Sequence, residues 1–539
     1  MNQVKNSLMA GEKRLIYPFS FSFKQYLFIS FLFICVGSLV SCQKILENIQ
    51  YAEKDSILKN NLSLRYYYVD NTGGSDNNDG KTLQTSWKTI QKSCNSATPG
   101  SFVVIRGGTY HEQVRVNVSG LKDKPITFMN YKNDVVNIDG ARQPGSTILS
   151  IIDKSFLVFK GITIQNLTKN DAQGILVTAT PNGKVTGITF SHLIIKKINW
   201  TSSASKIPSS FNNAQALIVY GQGSTQANAV SNLTIDNCEI SNNILGYSEA
   251  VSLDGNIDGF SITNNKVHDN TNIGIAAIGN YGTSTNSGLD QTRNGVISRN
   301  ICFKNSSKYA TSGGIYADGA RDLTIERNES YENGYGIEVG NEQNGSARNI
   351  IVASNVLYLN QNSGLALGGY DNTTTGQVLN SSFYNNSFYH NNSNFDGSGE
   401  FIVTKASGCI IENNVFYTNS QNVLFSLTPI APQKNNTINY NCWFTPEGNP
   451  DNIQVNFLNS TYTTFNEYKS GTRQDDKSFF KNPFYKSPLS PYPDLHLLTT
   501  SPCINSGNIG IIKNANGLDY DGNLLIKNGH TSLGAYQIK

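Results

Sequence analysis

Apolar and polar residues alternate with a period of two along most of the chain, in short runs separated by polar turns. LTIERN at 323–328, IIVASN at 350–355 and CIIENN at 409–414 are three of these runs. A period of two is typical of a β-strand with one buried face, whereas an amphipathic helix repeats its apolar positions every three to four residues. The pattern therefore predicts that strands, and not helices, are the repeating element.

An asparagine closes each of these runs, and a second asparagine follows five residues later. The seven pairs are Asn237/Asn242, Asn265/Asn270, Asn300/Asn305, Asn328/Asn333, Asn355/Asn360, Asn386/Asn391 and Asn414/Asn419. Successive first asparagines are 28, 35, 28, 27, 31 and 28 residues apart. A repeat of this length is typical of a solenoid. We therefore predict an all-β chain folded as a right-handed parallel β-helix, with each asparagine at a corner bonded to the asparagine stacked above it.

A third strand in each coil begins with Gly or Ala. These strands are GILVT at 174–178, ALIVY at 216–220, AVSLD at 250–254, GIAAI at 274–278, GIYAD at 314–318, GIEVG at 336–340 and GLALG at 364–368. If the second and fourth residues point inward, the third and fifth point outward. The outward side chains then include three carboxylates on nearby coils, which are Asp254, Asp318 and Glu338.

Other polar and aromatic residues border these carboxylates. Tyr220 and Tyr316 are on the same outward face, and Arg321, Asn341, Glu342 and Asp371 follow directly after the strands. With coils roughly 4.8 Å apart and same-face residues roughly 6.6 Å apart, Asp318 and Glu338 lie on a diagonal of roughly 8 Å. Asp254 lies about 10 Å from Asp318, two coils away. This spacing suits a binding site the size of a sugar, on a face that we expect to be open to solvent.

Composition agrees with one long all-β body. The chain has 539 residues, 47 Gly, 15 Pro and 15% charged residues. Its net charge of +3 is small and dispersed, so nucleic acid is not expected as a partner. The protein is expected to be a monomer.

The N-terminus carries an export signal. Basic residues up to Lys24 precede the apolar run YLFISFLFICVGSLV at 26–40, which is typical of a signal peptide. The run ends in Leu39-Val40-Ser41-Cys42, which resembles a bacterial lipobox. The resemblance implies cleavage after residue 41, lipidation of Cys42 and a tether over 42–64. Gln43 follows the cysteine, which by the same resemblance favours the outer membrane, at its periplasmic or extracellular face.

The remaining cysteines and the histidines do not form a recognisable metal motif. Cys238, Cys302 and Cys409 fall on or beside coil strands at positions expected to be in the core, and we predict that they are free thiols. The six histidines are scattered, so a zinc site is not indicated.

Both ends of the mature chain resemble known secreted proteins. The segments YYVDNTGGSDNNDG, SWKTIQKSC, PGSFVVIRGGTYHEQV, KPITFMNY and NIDG, within 65–140, resemble the N-terminal module of the pectate-lyase-like superfamily of β-helix proteins, including family-nine-type polysaccharide lyases. SWKTIQKSC is amphipathic enough for a short helix, which we expect to cap the open end of the solenoid. Repeats over 141–440 and the motifs DLHLLTTSPCINSG, LDYDGN and SLGAYQ, within 441–539, are similar to the same superfamily. The resemblance implies the fold and a surface-anchored protein that acts on a polysaccharide.

Two chemistries could use the acidic face. In β-elimination from a uronate polymer, Asp254, Asp318 and Glu338 would bind Ca²⁺, and Lys405 or Arg321 would be the base. In glycoside hydrolysis, Asp318 and Glu338 would be general acid and base, and a separation of roughly 8 Å lies in the inverting range of about 6.5–9.5 Å. The resemblance favours the lyase, although family-nine lyases carry an aspartate run of the type NSDDGFD that this chain lacks. A non-catalytic carbohydrate-binding solenoid is the third alternative.

Overall fold

The computed structural model describes residues 64–369, 376–428, 433–489, 492–513 and 517–538. The predicted signal peptide and all but the last residue of the predicted tether therefore lie outside the described residues, as does Asp371. None of the helices in the described ranges has the length and apolar character that a membrane span requires.

Two large parallel sheets build the body. The first, which we call the first face, has 15 strands: Arg65–Val69, Ser101–Ile105, Ile126–Asn130, Leu157–Lys160, Thr186–Ser191, Val230–Asp236, Ile257–Thr263, Arg293–Ser298, Arg321–Glu326, Ser346–Ala353, Gln377–Leu379, Ser382–Tyr384, Ala406–Ser407, Ile410–Glu412 and Thr437–Asn439.

The second sheet has 26 strands: Gly108–Tyr110, Val114–Val116, Val136–Asp139, Thr147–Ile152, Ile162–Thr168, Ala172–Ala179, Ile194–Asn199, Ala214–Gly221, Glu239–Ser241, Ile244–Gly255, Lys266–His268, Thr271–Ile278, Ile301–Phe303, Gly313–Asp318, Glu329–Tyr331, Tyr335–Gly340, Val356–Tyr358, Leu365–Gly368, Ser387–Tyr389, Phe401–Val403, Val415–Tyr417, Val423–Leu427, Cys442–Phe444, Gln454–Phe457, Ser460–Tyr462 and Phe479–Phe480. It bends between its short and its long strands. We call the row of short strands such as Glu329–Tyr331 the second face, and the row that contains Tyr335–Gly340 the third face.

Each coil visits the three faces in order, and its strands pair in parallel with their counterparts one coil away. Ser460–Tyr462 instead pairs antiparallel with Gln454–Phe457. The strand Arg321–Glu326, for example, pairs with Arg293–Ser298 on one side and with Ser346–Ala353 on the other. On the third face, Ile315 is in register with Ile275 and Ile337, as the alignment of the Gly-led strands predicts. The predicted right-handed parallel β-helix is therefore confirmed.

Two ladders of buried asparagines hold the corners, and in each the side-chain amide donates to the side-chain oxygen of the next asparagine at 2.7–3.3 Å. The first ladder, between the first and second faces, is Asn265, Asn300, Asn328, Asn355, Asn386, Asn414 and Asn441. The second ladder, between the second and third faces, is Asn243, Asn270, Asn305, Asn333, Asn360 and Asn391. The predicted stacking is confirmed.

Three of the asparagines predicted to stack in the ladders do not do so. Asn237 and Asn242 have left-handed backbones, with φ of 53° and 58°, and lie one residue before the ladder positions, which Cys238 and Asn243 occupy. Asn419 instead donates to the backbone carbonyl groups of Asn391 and Asn392. A coil corner needs both a left-handed residue and a stacked amide, and asparagine suits both, so the sequence alone does not fix which of two adjacent positions is stacked.

A buried carboxyl group ends each ladder. Asn441 donates to Asp475, and Asn391 donates to Glu400 at 2.7 Å from its side chain and at 3.2 Å from its backbone. Burial raises the pKa of Glu400 to about 8. The carboxyl groups accept the hydrogen bonds that a further asparagine would otherwise accept.

Few helices accompany the strands. The helix Ile90–Ser96 lies where SWKTIQKSC predicts one, with Ile90, Ser93 and Cys94 buried, while its capping role stays a prediction. The helix Phe465–Thr472 and the 3₁₀ turns Gln226–Asn228 and Ile509–Ile511 are the others in the described part of the chain.

The closing segment runs back along the outside of the coils. The antiparallel strands Tyr485–Ser487 and Asp494–Leu497 belong to it, and Ala535 donates to Ser387 at 2.9 Å. Cys238, Cys302 and Cys409 are buried free thiols, as predicted.

Candidate active site

The third face carries a groove that runs along the helix axis. It consists of three adjoining pockets, which we name after one acidic residue each. The Glu249 pocket, of about 240 Å³, shares Thr311 and Glu342 with the Glu338 pocket, of about 110 Å³. The Glu338 pocket shares Tyr335 and Ile402 with the Asp396 pocket, of about 380 Å³.

The strands of the third face and the loops that leave them form the walls of the groove. From Glu249 on the strand Ile244–Gly255 to Asn456 on the strand Gln454–Phe457, the groove crosses eight coils. At roughly 4.8 Å a coil, its length is roughly 34 Å. The groove is therefore long enough for several consecutive units of a polymer.

Asp318 lies at the bottom of the Glu249 pocket and is only 4% exposed. Its Oδ2 accepts a hydrogen bond from the Tyr281 hydroxyl at 2.6 Å, and its Oδ1 accepts from the Asn341 side chain and the Glu342 backbone N–H, each at 3.0 Å. Burial raises the pKa of Asp318 to about 6, and these donors oppose the rise because they favour the ionised form. Asp318 is thus held as a carboxylate near neutral pH.

Glu338 has a different environment. One carboxyl oxygen, Oε1, is buried and has no hydrogen-bond partner, and it lies 2.5 Å from where a Cβ on Gly313 would be. Burial, followed by the charges of Glu342 and Asp318, raises the pKa of Glu338 to about 8. Gly313 therefore leaves the room that this carboxyl occupies, and Glu338 is protonated at neutral pH.

Two further glutamates share the groove. Burial and the charge of Asp318 raise the pKa of Glu342 to about 7. Burial also raises the pKa of Glu249 to about 8, although the Ser252 hydroxyl donates to it at 2.5 Å. Four carboxyl groups with raised pKa values thus line adjoining pockets.

Two loops cover Asp318. Tyr281 belongs to the loop 279–292, and Asn341 belongs to the loop 341–345, where it accepts from the Gly345 N–H at 3.0 Å. The side-chain amide of Asn341 also donates to the carbonyl of Gly279 at 3.2 Å, which links the two loops. The expectation that the acidic face is open to solvent is therefore wrong for Asp318 and for Tyr316, which is 5% exposed. Both point away from the core, but the loops bury them.

The predicted site residues differ in where they lie relative to the groove. Asp318, Glu338, Tyr316 and Glu342 line the groove, and Asn341 positions Asp318 from behind. Tyr220 and Asp254 are in register with each other on neighbouring strands but do not line the groove. Arg321 lies on the first face and forms an ion pair with Asp322 at 2.7 Å. Lys405 follows Thr404, a lining residue, but does not itself line the groove.

The predicted calcium ligands do not come together. Asp254 accepts from Thr283 at 2.7 Å, and Asp318 already accepts three hydrogen bonds. Within the described ranges, no three His, Cys, Asp or Glu side chains are placed to hold a metal ion. The donor set of Asp254, Asp318 and Glu338 therefore does not fit a calcium ion in this arrangement.

Sequence reasoning missed Glu249, Tyr281, Tyr335 and the pair Tyr247 and Tyr309, whose rings lie edge to face at 5.5 Å. Strict alternation would turn Glu249 inward, because Val251 two residues later is in the core. The strand pairing is irregular between Ile244 and Glu249, so the alternation does not hold at that corner. Tyr281 and Tyr309 lie in loops, which carry no periodic signal that could have identified them.

Comparison with known proteins decides the family. No family model matches the chain. The "Uncharacterized protein YwoF" of Bacillus subtilis (strain 168) is 32% identical over 438 residues, which cover 79% of this chain and 89% of that protein. The chain belongs to the YwoF family.

Solved structures resemble this YwoF-family chain in fold. The pectate lyase Pel9A is 15% identical with a TM-score of 0.44, and the match covers 89% of this chain and 98% of that one. The GH136 lacto-N-biosidase from Eubacterium ramulus is 14% identical with a TM-score of 0.44, covering 80% and 69% of the two chains. The strand pairing by itself shows the parallel β-helix.

Proposed function

We propose that this protein is a polysaccharide-degrading enzyme that hydrolyses glycosidic bonds by general acid–base catalysis. The observation that carries the proposal is the contrast between two carboxyl groups on adjacent coils of one groove. Asp318 accepts three hydrogen bonds that favour its ionised form, whereas Glu338 has a buried oxygen without a partner. Two carboxyl groups whose environments move their pKa values apart are the arrangement that glycoside hydrolysis requires.

In this mechanism the two groups have separate tasks. Glu338, protonated, gives its proton to the oxygen of the leaving sugar. Asp318, ionised, takes a proton from the attacking water, and Tyr281 and Asn341 hold its carboxylate in place. Glu342, whose pKa is raised to about 7, adds in its ionised form a negative charge that stabilises a cationic sugar ring in the transition state.

Glu338 is in register with Tyr316, and its carboxyl group leans toward Gly313, away from Asp318. The spacing of roughly 8 Å expected from the sequence applies to the backbone positions of Asp318 and Glu338 and not to their carboxyl groups, so it does not assign the pair to the inverting range of about 6.5–9.5 Å.

The alternative, β-elimination from a uronate polymer, needs a base and a group that stabilises the charge at the substrate carboxylate. Neither Arg321 nor Lys405 lines the groove, and the predicted calcium ligands are not gathered. The geometry of the described residues therefore supports hydrolysis better than elimination.

A panel of polysaccharides tests the proposal. We expect wild-type protein to release reducing ends without the ultraviolet absorbance of an unsaturated uronyl product, and a chelator of divalent cations should not change the rate. If this absorbance appears together with the reducing ends, and if the chelator abolishes it and Ca²⁺ restores it, the protein is a lyase instead. Retention of a polysaccharide without any cleavage would establish a binding protein.

We also propose that the enzyme is a lipoprotein of the outer membrane, anchored through Cys42. The support is the sequence around 39–42. We expect globomycin or the substitution Cys42→Ala to leave a longer precursor without lipid, as judged by gel mobility and by labelling with a fatty acid. Processing and membrane partition equal to those of the wild type would refute the anchor.

A further inference from the structure

The groove described above has acidic side chains along its whole length. Its walls carry Glu249, Asp318, Glu338, Glu342 and Asp396. None of the described residues that line the three pockets is Lys, Arg or His.

A uronate carboxylate would be unfavourable in such a groove. It would lose water on entry and would meet like charges, with no guanidinium or ammonium group in the described walls to pair with. The carboxyl groups already repel one another, since the charges of Glu342 and Asp318 contribute to the raised pKa of Glu338. An additional negative charge would increase this repulsion.

The same walls suit sugar hydroxyl groups. Asn272 lines the Glu249 pocket, is only 3% exposed, and has a buried Oδ1 without a partner. Glu338 offers a second unpartnered oxygen in the next pocket. Each could accept a hydrogen bond from a hydroxyl group, which would remove the cost of a buried acceptor without a donor.

Aromatic rings complete this surface. Tyr247 is 41% exposed and meets Tyr309 edge to face, at the wall of the Glu249 pocket. Tyr335 lies farther along, where the Glu338 and Asp396 pockets join. Rings at these positions can pack against the apolar faces of successive sugars without requiring a charge.

We propose that the sugars held in the groove are uncharged, so that the substrate is a neutral polysaccharide and not a uronate polymer. The inference rests on the proposed function, because it names the substrate class of the same groove. It concerns binding as well as cleavage, so it can be tested separately from catalysis.

Matched pairs of polymers provide the test. Pectic, alginate and glucuronan polymers are each compared with their carboxyl-reduced counterparts, in which CH₂OH replaces COO⁻ and the linkages are kept. Neutral glucans, mannans and xylans are included. Binding is measured by affinity electrophoresis with the variant Glu338→Gln, so that cleavage does not interfere.

We expect at least one neutral or carboxyl-reduced polymer to be retained, with an affinity at least about tenfold higher than that of its charged counterpart. At pH 9, above the pKa of about 8 of Glu249, Glu249→Gln should narrow this ratio because it removes a negative charge from the groove. Glu239→Gln, at an exposed position of the second face outside the groove, should leave the ratio unchanged. Stronger binding of a polyuronate than of its reduced form, or retention of no neutral polymer, would overturn the inference.

Cleavage by wild-type protein then separates this inference from the proposed function. Hydrolysis of a polyuronate in preference to its reduced form would leave the proposed function intact and refute the neutral substrate. Retention of a neutral polymer that is never hydrolysed would support the neutral substrate and refute the enzyme.

Discussion

Glu338→Gln should lower kcat at least about a hundredfold on a polysaccharide that the wild type hydrolyses, because the amide cannot give a proton to the leaving sugar. Asp318→Asn should have a comparable effect, because an amide is a poor base. Initial rates of reducing-end release measure both. Glu447→Gln and Asp451→Asn, on exposed loop residues, are matched controls and should keep wild-type rates.

The pH dependence identifies which group is which. Asp318 must be ionised, so kcat/KM of the wild type should rise as the pH passes about 6. Glu338 must be protonated, so kcat/KM should fall as the pH passes about 8. The residual activity of Glu338→Gln should lose the alkaline fall and keep the acid rise. Wild-type rates in both substituted proteins would show that this groove is not the active site.

Loss of folding can be distinguished from loss of catalysis. The folded-state pKa of Glu338 is raised to about 8 from an ordinary value of 4.5, so its contribution to stability is complete below pH 4.5 and is lost as the pH rises through about 8. Glutamine does not ionise. Glu338→Gln should therefore unfold at an equal or higher denaturant concentration than the wild type at pH 8, even though its kcat is much lower.

The sequence predicts the solenoid well because its periodic features are set by backbone geometry. Alternation places Ile315 and Ile337 in the core, and the stacking of coils puts them in register. The asparagine ladders are predicted nearly as well, because only asparagine combines a short side-chain amide with ready adoption of the backbone conformation at a corner. The error of one residue at Asn237 and Asn242 arises because asparagine is also the left-handed residue directly before the ladder position at these corners.

The candidate site is only partly predictable for a physical reason. Alternation along the strands predicts that Asp318 and Glu338 point outward, and both residues do line the groove. What buries Asp318 comes from loops, because Tyr281 precedes it by 37 residues along the chain and Asn341 follows it by 23. Loop paths carry no period, so neither the burial nor the raised pKa of Asp318 could be read from the pattern of the strands.

Asn328→Leu should reduce the free energy of unfolding by about 3 kcal/mol, the largest effect on stability that we expect from a single corner residue. The Asn328 side chain accepts from the backbone N–H of Asn300 at 2.9 Å and from its amide at 3.0 Å, and it donates to the carbonyl of Ile297 at 2.9 Å and to Asn355 at 3.0 Å. Leucine satisfies none of these groups.

Burial of the leucine side chain offsets part of this loss, by about 1.5–3 kcal/mol at most. Each buried polar group left without a partner costs about 1–3 kcal/mol. Three groups lose a partner in this variant, namely the Asn300 backbone N–H, the Asn300 side-chain amide and the Ile297 carbonyl, and their combined cost outweighs the gain from burying leucine. Urea or thermal denaturation followed by circular dichroism measures the difference. Asn466→Leu is the matched control, because Asn466 is exposed on the helix Phe465–Thr472 and should change stability little. Equal shifts of the two midpoints would mean that the stacked amide of Asn328 does not contribute to holding the coils together.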